Sequence, residues 1–214
     1  MLAALVLASV WAQAEPAPPP PPPPAAPIEE PPPPVKPNTL SVVGQLATRV
    51  RVDEQALPPR NGFGIGGSFE RRLLPLGPAF ELGAAVDFLY DHFETAGATA
   101  GTTDVTSDTS FALGATLGWV GPGVRPFVAV GGGLNVGYFT SSESPLVPAS
   151  TTAVQPAARA AAGVDVALTT AIGLVARIDY TLTFTRPPTT TATGATYSLF
   201  GDVLHFGAGV VARF

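Results

Sequence analysis

FELGAAVDFLY, residues 80–90, alternates without a break. Phe80, Leu82, Ala84, Val86, Phe88 and Tyr90 fall on one side, and Glu81, Gly83, Ala85 and Asp87 on the other. A period of two is that of an extended strand whose successive side chains point to opposite faces. The same pattern recurs on both sides of this stretch. Upstream, Leu40, Val42, Leu46, Val50 and Val52 oppose Ser41, Gln45, Arg49 and Arg51, and Phe63, Ile65 and Phe69 oppose Gly64, Gly66, Ser68 and Glu70. Downstream come Phe111 to Trp119, then Val128 to Tyr138. Next, Ala160 to Leu168 opposes Arg159, Gly163 and Asp165, and Leu174 to Phe184 opposes Arg177, Asp179 and Thr183. Last, Leu204 to Phe214 opposes His205, Gly207, Gly209 and Arg213. Eight segments result, each about as long as one tilted β crossing of a bilayer, roughly 9–11 residues.

Composition decides which face meets water. Of the 214 residues 46% are hydrophobic and only 13% charged, with ten Arg and one Lys against 16 acids, a net charge of -5. That leaves little for a soluble surface and no basic patch for nucleic acid. With no cysteine, disulfide scaffolds, thiol catalysis and Cys-bound zinc are excluded. No run of about 18 apolar residues exists, so a spanning helix is not expected. A transmembrane barrel turns its apolar face to lipid and its polar face to the lumen, and it closes the strand edges that lipid would not tolerate. The fold class expected is therefore all-β: an eight-stranded antiparallel up-and-down transmembrane β-barrel over residues 39–214. Phe80, Trp119, Phe127 and Phe214 at one rim, and Tyr90, Phe111, Tyr138 and Phe184 at the other, fit two interfacial girdles.

The connections alternate in length. Residues 73–79, 121–126 and 169–173 read as short turns, 53–61 as intermediate, and 91–109, 140–156 and 185–202 as long polar loops. The eleven prolines from Pro58 onward, Pro75, Pro126 and Pro156 among them, fall between these segments, where a missing N–H interrupts no ladder. Short turns on the periplasmic side and long loops outside are expected of an outer-membrane barrel, with both termini periplasmic.

The N-terminus differs in character. Leu2–Ala12 is apolar and Ala12-Gln13-Ala14 suits signal peptidase, although no Lys or Arg precedes it, so residues 1–14 read as a signal peptide. Fourteen of the 25 prolines fall between Pro16 and Pro37. Residues 15–38 thus read as a disordered proline-rich tether, extended as polyproline II and able to reach about 70 Å.

The C-terminal strand carries the most specific feature. Phe206, Ala208, Val210, Ala212 and the terminal Phe214 share one face. Together with the eight segments, this strand resembles the small eight-stranded outer-membrane barrels of the outer-membrane protein A and X type. The resemblance implies that Phe206, Val210 and Phe214 are the signal read by the outer-membrane assembly machinery. It also implies outer-membrane lipids and lipopolysaccharide as surroundings, and a monomer.

For the lumen, a polar network is expected from Arg49, Glu70, Glu81, Asp87, Asp165, Arg177, Asp179, His205 and Arg213. Eight strands leave an interior just wide enough for side chains, and buried charges there must pair. Arg177 is expected near Asp165, Arg213 near Glu70 and Glu81, and Arg49 near His205. No catalytic constellation, metal set or cofactor motif is expected. Neither His92, at the start of a long loop, nor His205 belongs to a His-x-Ser arrangement, and no Gly-x-Ser-x-Gly elbow is present. The Gly62–Gly67 run lacks the lysine of a phosphate loop. Asp53, Glu54, Asp91, Glu94, Asp104, Asp108 and Glu143 read as loop acids that solvate the outer surface. The function expected is structural or surface-interacting and non-enzymatic. The alternatives are a narrow pore for ions or small solutes, and a soluble periplasmic lipocalin-like barrel with its apolar face inward.

Overall fold

A computed structural model describes residues 36–51, 61–96, 103–141, 150–184, 188–190, 196–198 and 201–214. The expected signal peptide and nearly all of the proline-rich tether lie outside the described residues. Among the described residues ten strands run in chain order: β1 (Asn38–Arg51), β2 (Asn61–Leu76), β3 (Phe80–Ala96), β4 (Thr103–Trp119), β5 (Val124–Ser141), β6 (Ser150–Ala167), β7 (Ile172–Thr183), β8 (Pro188–Thr190), β9 (Thr196–Ser198) and β10 (Asp202–Arg213). Eight of them close into a barrel in the order β1-β10-β7-β6-β5-β4-β3-β2, every pair antiparallel. β8 and β9 form a separate two-stranded hairpin between β7 and β10. Closure is completed at the termini, where Asn38 and Phe214 exchange two backbone hydrogen bonds of 3.0 Å.

The apolar faces point outward. Leu46, Leu113, Val130 and Phe63 are each more than 60% exposed, while Glu70, Asp87, Arg159, Asp165, Arg177 and Asp179 are buried inside. A lipocalin-like barrel with its apolar face inward is thereby ruled out. At one end the turns are tight, and Gly77 and Gly123 there adopt φ of +77° and +78°. That region of backbone space is open to glycine and costly for residues with a Cβ.

Three expectations are corrected. The stretches 91–109 and 140–156 are mostly strand rather than loop: β3 and β4 pair out to Ala96↔Thr103, and β5 and β6 out to Thr140↔Ser150. Beyond Tyr90 and Tyr138 the outward residues turn polar while the inward ones continue to pack, so the apolar alternation fades where the ladder does not. Because the strands are longer, Pro75, Pro126 and Pro156 lie inside β2, β5 and β6. They sit where one neighbouring ladder has ended. The Pro156 carbonyl accepts from Phe184 N just past the end of β7, so the N–H it lacks would have faced the last, closing position of that ladder. Pro126 lies one residue beyond the last β4–β5 pair, Gly118↔Phe127. Third, Phe127 belongs to no girdle. It shares the inner face with Arg125, and Phe111 sits mid-strand, its ring 5.2 Å from that of Phe88.

Candidate functional site

The lumen holds three tiers of paired charge, each built by strands that alternation turns inward. At the short-turn end, Arg125 of β5 lies between two carboxylates. Its Nε donates to Glu81 of β3 at 2.5 Å and its Nη1 to Glu70 of β2 at 3.2 Å, with a further short bond from Nη2 to Glu70. Thr116 Oγ1 also donates to Glu70 at 2.9 Å, and Arg72 approaches Glu81 at 3.1 Å. Gly83 and Gly118 make room for this cluster. A Cβ on the first would lie 2.9 Å from Glu70 Oε1, and one on the second 2.7 Å from the Arg125 guanidinium. At the same end Arg213 pairs with Asp165 at 2.5 Å.

The middle tier is a four-membered ring. Arg177 grips Asp179, two residues along β7, through Nε at 2.8 Å and Nη2 at 2.7 Å, and reaches Asp87 of β3 at 3.5 Å. Arg159 of β6 closes the ring, contacting Asp87 at 3.0 Å and Asp179 at 2.5 Å. Paired fork geometry of this kind is among the strongest forms of charge-assisted hydrogen bonding.

Toward the far end, His205 of β10 meets Asp91 of β3 at 2.7 Å, and Gln45 of β1 donates to the same carboxylate at 2.7 Å. Arg49 of β1 pairs with Asp108 of β4 at 2.9 Å, its guanidinium lying over the Phe93 ring at 4.1 Å from the centroid. Ala47, Phe93 and Val203 form a small apolar core beside it. Asp202 accepts from Thr183 N at 3.1 Å and from Tyr180 at 3.1 Å, fastening β10 to β7.

All nine residues expected in the lumen are found facing it, but their partners differ from those expected. Asp165 pairs with Arg213, not Arg177; Glu70 and Glu81 take Arg125; Arg49 and His205 each find a separate aspartate. Alternation specifies a face, whereas the stagger of the closed barrel decides which residues meet across it. Sequence reasoning missed Arg72, Arg125, Arg159, Asp91 and Asp108 as members. Arg125 falls in a stretch that reads as a turn, and Asp91 and Asp108 read as solvated loop acids, yet both aspartates are 2% exposed. Of the other acids assigned to loops, Asp53, Glu54 and Glu143 lie outside the described residues. Among the described residues no group of three or more His, Cys, Asp or Glu is arranged to hold a metal. Phe206, Val210 and Phe214 all point outward, each about half exposed.

No protein-family model matches the chain. No curated protein matches it either. Solved structures do. One is the outer membrane protein OprG from Pseudomonas aeruginosa, at 10% identity over 84% of this chain and 96% of the other, with a TM-score of 0.55. Another is Ail, the attachment invasion locus protein of Yersinia pestis, at 12% identity over 84% and 99%, with a TM-score of 0.52. Ail in complex with the heparin analogue sucrose octasulfate matches at 13% identity with a TM-score of 0.51. These similarities are of fold: the chain has the fold of the small eight-stranded outer-membrane β-barrels. Such a fold hosts varied activities and does not by itself choose among them.

Proposed function

We propose that the protein is an integral outer-membrane barrel with a closed lumen, acting as a structural and surface-interacting element rather than as a channel. The observation that carries this reading is the pairing of six arginines and His205 with seven carboxylates across the three tiers. An ion entering this lumen must compete with ion pairs already formed, and unpairing a buried charge costs several kcal/mol. The lumenal space between Glu70, Asp87, Thr116, Arg125, Asp165 and Arg177 measures about 30 Å³, room for a few water molecules and no open passage. Both termini lie at the periplasmic face in this reading, with the tight turns at Gly77 and Gly123, and the β3–β4 and β5–β6 hairpins project outside. Lipopolysaccharide and outer-membrane lipids surround the apolar wall, the assembly machinery reads the strand ending in Phe214, and the barrel is a monomer. A non-enzymatic role is assigned to the lumen, where the charged side chains of the described residues are engaged with one another.

The test is planar-bilayer conductance on purified protein. The reading requires no steady channels, and stable openings of uniform size would replace it with a narrow pore.

A further inference from the structure

The outer wall carries a second cluster, unrelated to the lumen. His92 of β3 and Ser107 of β4 are register partners, both with side chains turned outward. Ser107 Oγ lies 3.5 Å from His92 Nδ1. His92 Nε2 lies 2.8 Å from the carboxylate of Glu94, two residues on and on the same face. In the opposite direction along β3, Tyr90 Oη is 3.3 Å from Ser107 Oγ. The Phe63 ring of β2 packs on the far side of the imidazole, with centroids 5.4 Å apart.

These contacts have one consistent direction of protons. An ionised carboxylate only accepts, so Glu94 fixes the hydrogen of His92 on Nε2 and leaves the Nδ1 lone pair facing Ser107. Ser107 then donates to Nδ1, and Tyr90 donates to Ser107. A hydroxyl, a base and an orienting acid in series are the parts of an activated serine nucleophile, recognised by geometry rather than by chain order. Nucleophile–base contacts are often loose in an empty site and tighten around substrate, which accommodates the 3.5 Å separation.

We propose that Ser107, His92 and Glu94 form an ester-hydrolysing site on the lipid-facing wall, acting on carboxylic esters of membrane lipids. Position selects the substrate. The cluster sits on the row where the outer wall changes from apolar to polar. Phe88, Phe111 and Tyr90 lie toward the membrane, Phe63 and Tyr138 flank the cluster in its own row, and Glu94 lies on the other side, its side chain 60% exposed. In a lipid, the ester carbonyl is located between acyl chain and headgroup, at this same boundary. The acyl chain can lie along the Phe88–Phe111 surface with the carbonyl carbon against Ser107.

Ser107 Oγ adds to the carbonyl carbon as its proton passes to His92 Nδ1. The tetrahedral oxyanion is within reach of the Tyr90 hydroxyl, a donor for developing charge. The C–O bond to the alcohol breaks, and the departing oxygen takes the proton from His92. Water then adds to the acyl-serine, giving its proton to His92, which returns it to Ser107 as the acid leaves. One ester and one water yield one alcohol and one carboxylic acid. Ser107 and His92 are catalytic residues, and Glu94 is a positioning residue acting through the imidazole.

The test uses the full chain in detergent micelles, with folding checked by heat-dependent gel mobility. The probe is a fluorophosphonate bearing a decyl chain, and hydrolysis of p-nitrophenyl decanoate is followed in parallel. The label is expected on the peptide containing Ser107 and should be lost in Ser107→Ala. Labelling is expected to slow by roughly 100-fold or more in folded His92→Ala. Glu94→Gln, which keeps an acceptor for Nε2–H, should retain more activity than Glu94→Ala. Absence of labelling in the folded wild-type chain overturns the proposal. So do labelling rates unchanged by Ser107→Ala or by His92→Ala. Equal activity in Glu94→Ala and wild type removes Glu94 from the site.

Discussion

Replacing Arg49 by Met should destabilise the barrel more than replacing its partner, and the pair should be strongly coupled. The two side chains are 0% and 2% exposed, with Nη2 of Arg49 2.9 Å from Oδ2 of Asp108. At that separation, and with an effective dielectric constant near 20, their attraction is about 6 kcal/mol, most of it offset by removing both ions from water. R49M leaves the buried Asp108 carboxylate without the cation facing it, a loss of about 3–5 kcal/mol. D108L leaves the guanidinium over Phe93, an interaction of about 2 kcal/mol when shielded from water, so this variant should lose less. The double variant R49M/D108L removes both charges, and the coupling energy should be about 1–3 kcal/mol. The assay is urea unfolding of the barrel reconstituted in lipid vesicles. Fluorescence of the lipid-facing Trp119 and the fraction of heat-modifiable protein provide two readouts. The deficit of R49M should shrink as pH falls, since protonating Asp108 abolishes the unpaired charge. A coupling energy below about 0.5 kcal/mol would refute the reasoning, because two separated residues behave additively at that level.

Leu113→Arg places a cation on the outer wall at a residue 67% exposed, and should cost about 2–4 kcal/mol in vesicles if that wall meets hydrocarbon. A cost near zero would mean that Leu113 faces water. Replacing Asp87, Arg159, Arg177 and Asp179 together by Ala should convert a silent barrel into one with steady bilayer conductance. Continued silence would show that the middle tier is not the barrier. Gly123→Val forces a β-branched side chain into left-handed backbone and should cost about 1–2 kcal/mol in the same unfolding assay. Phe214→Ala should lower the fraction of folded barrel recovered from outer membranes in cells, while purified protein refolds into vesicles at the wild-type rate. Equal loss in both settings would assign Phe214 to stability rather than to assembly.

Most of the architecture was legible in the residues. Strand number, the face each segment turns to lipid, and the ends with tight turns all follow from a period of two and from the scarcity of charge. The strand ends were not. Past Tyr90 and Tyr138 the outward residues become mostly His, Ser, Thr and Glu, which in sequence look like loop, although their inward neighbours Phe93, Thr106, Asp108, Phe139 and Gln155 remain buried in a continuing ladder. An alternation rule that requires one apolar face fails as soon as that face leaves the membrane. Prolines misled for a related reason: Pro156 is acceptable inside β6 because β7 has already ended beside it.

That Arg177, Asp179 and Asp87 share the inner face follows from the residues alone, since it depends only on parity along each strand. Parity could not determine that Arg177 meets Asp87 rather than Asp165, nor that Arg49 of β1 reaches Asp108 of β4. Those meetings depend on strand tilt and stagger around a closed ring, properties of all eight strands at once. His92 and Ser107 show the same division at shorter range. Fifteen residues separate them in the chain, and only the register of one hairpin sets the imidazole opposite the hydroxyl. Parity is a local property of the chain, whereas register and closure are collective ones.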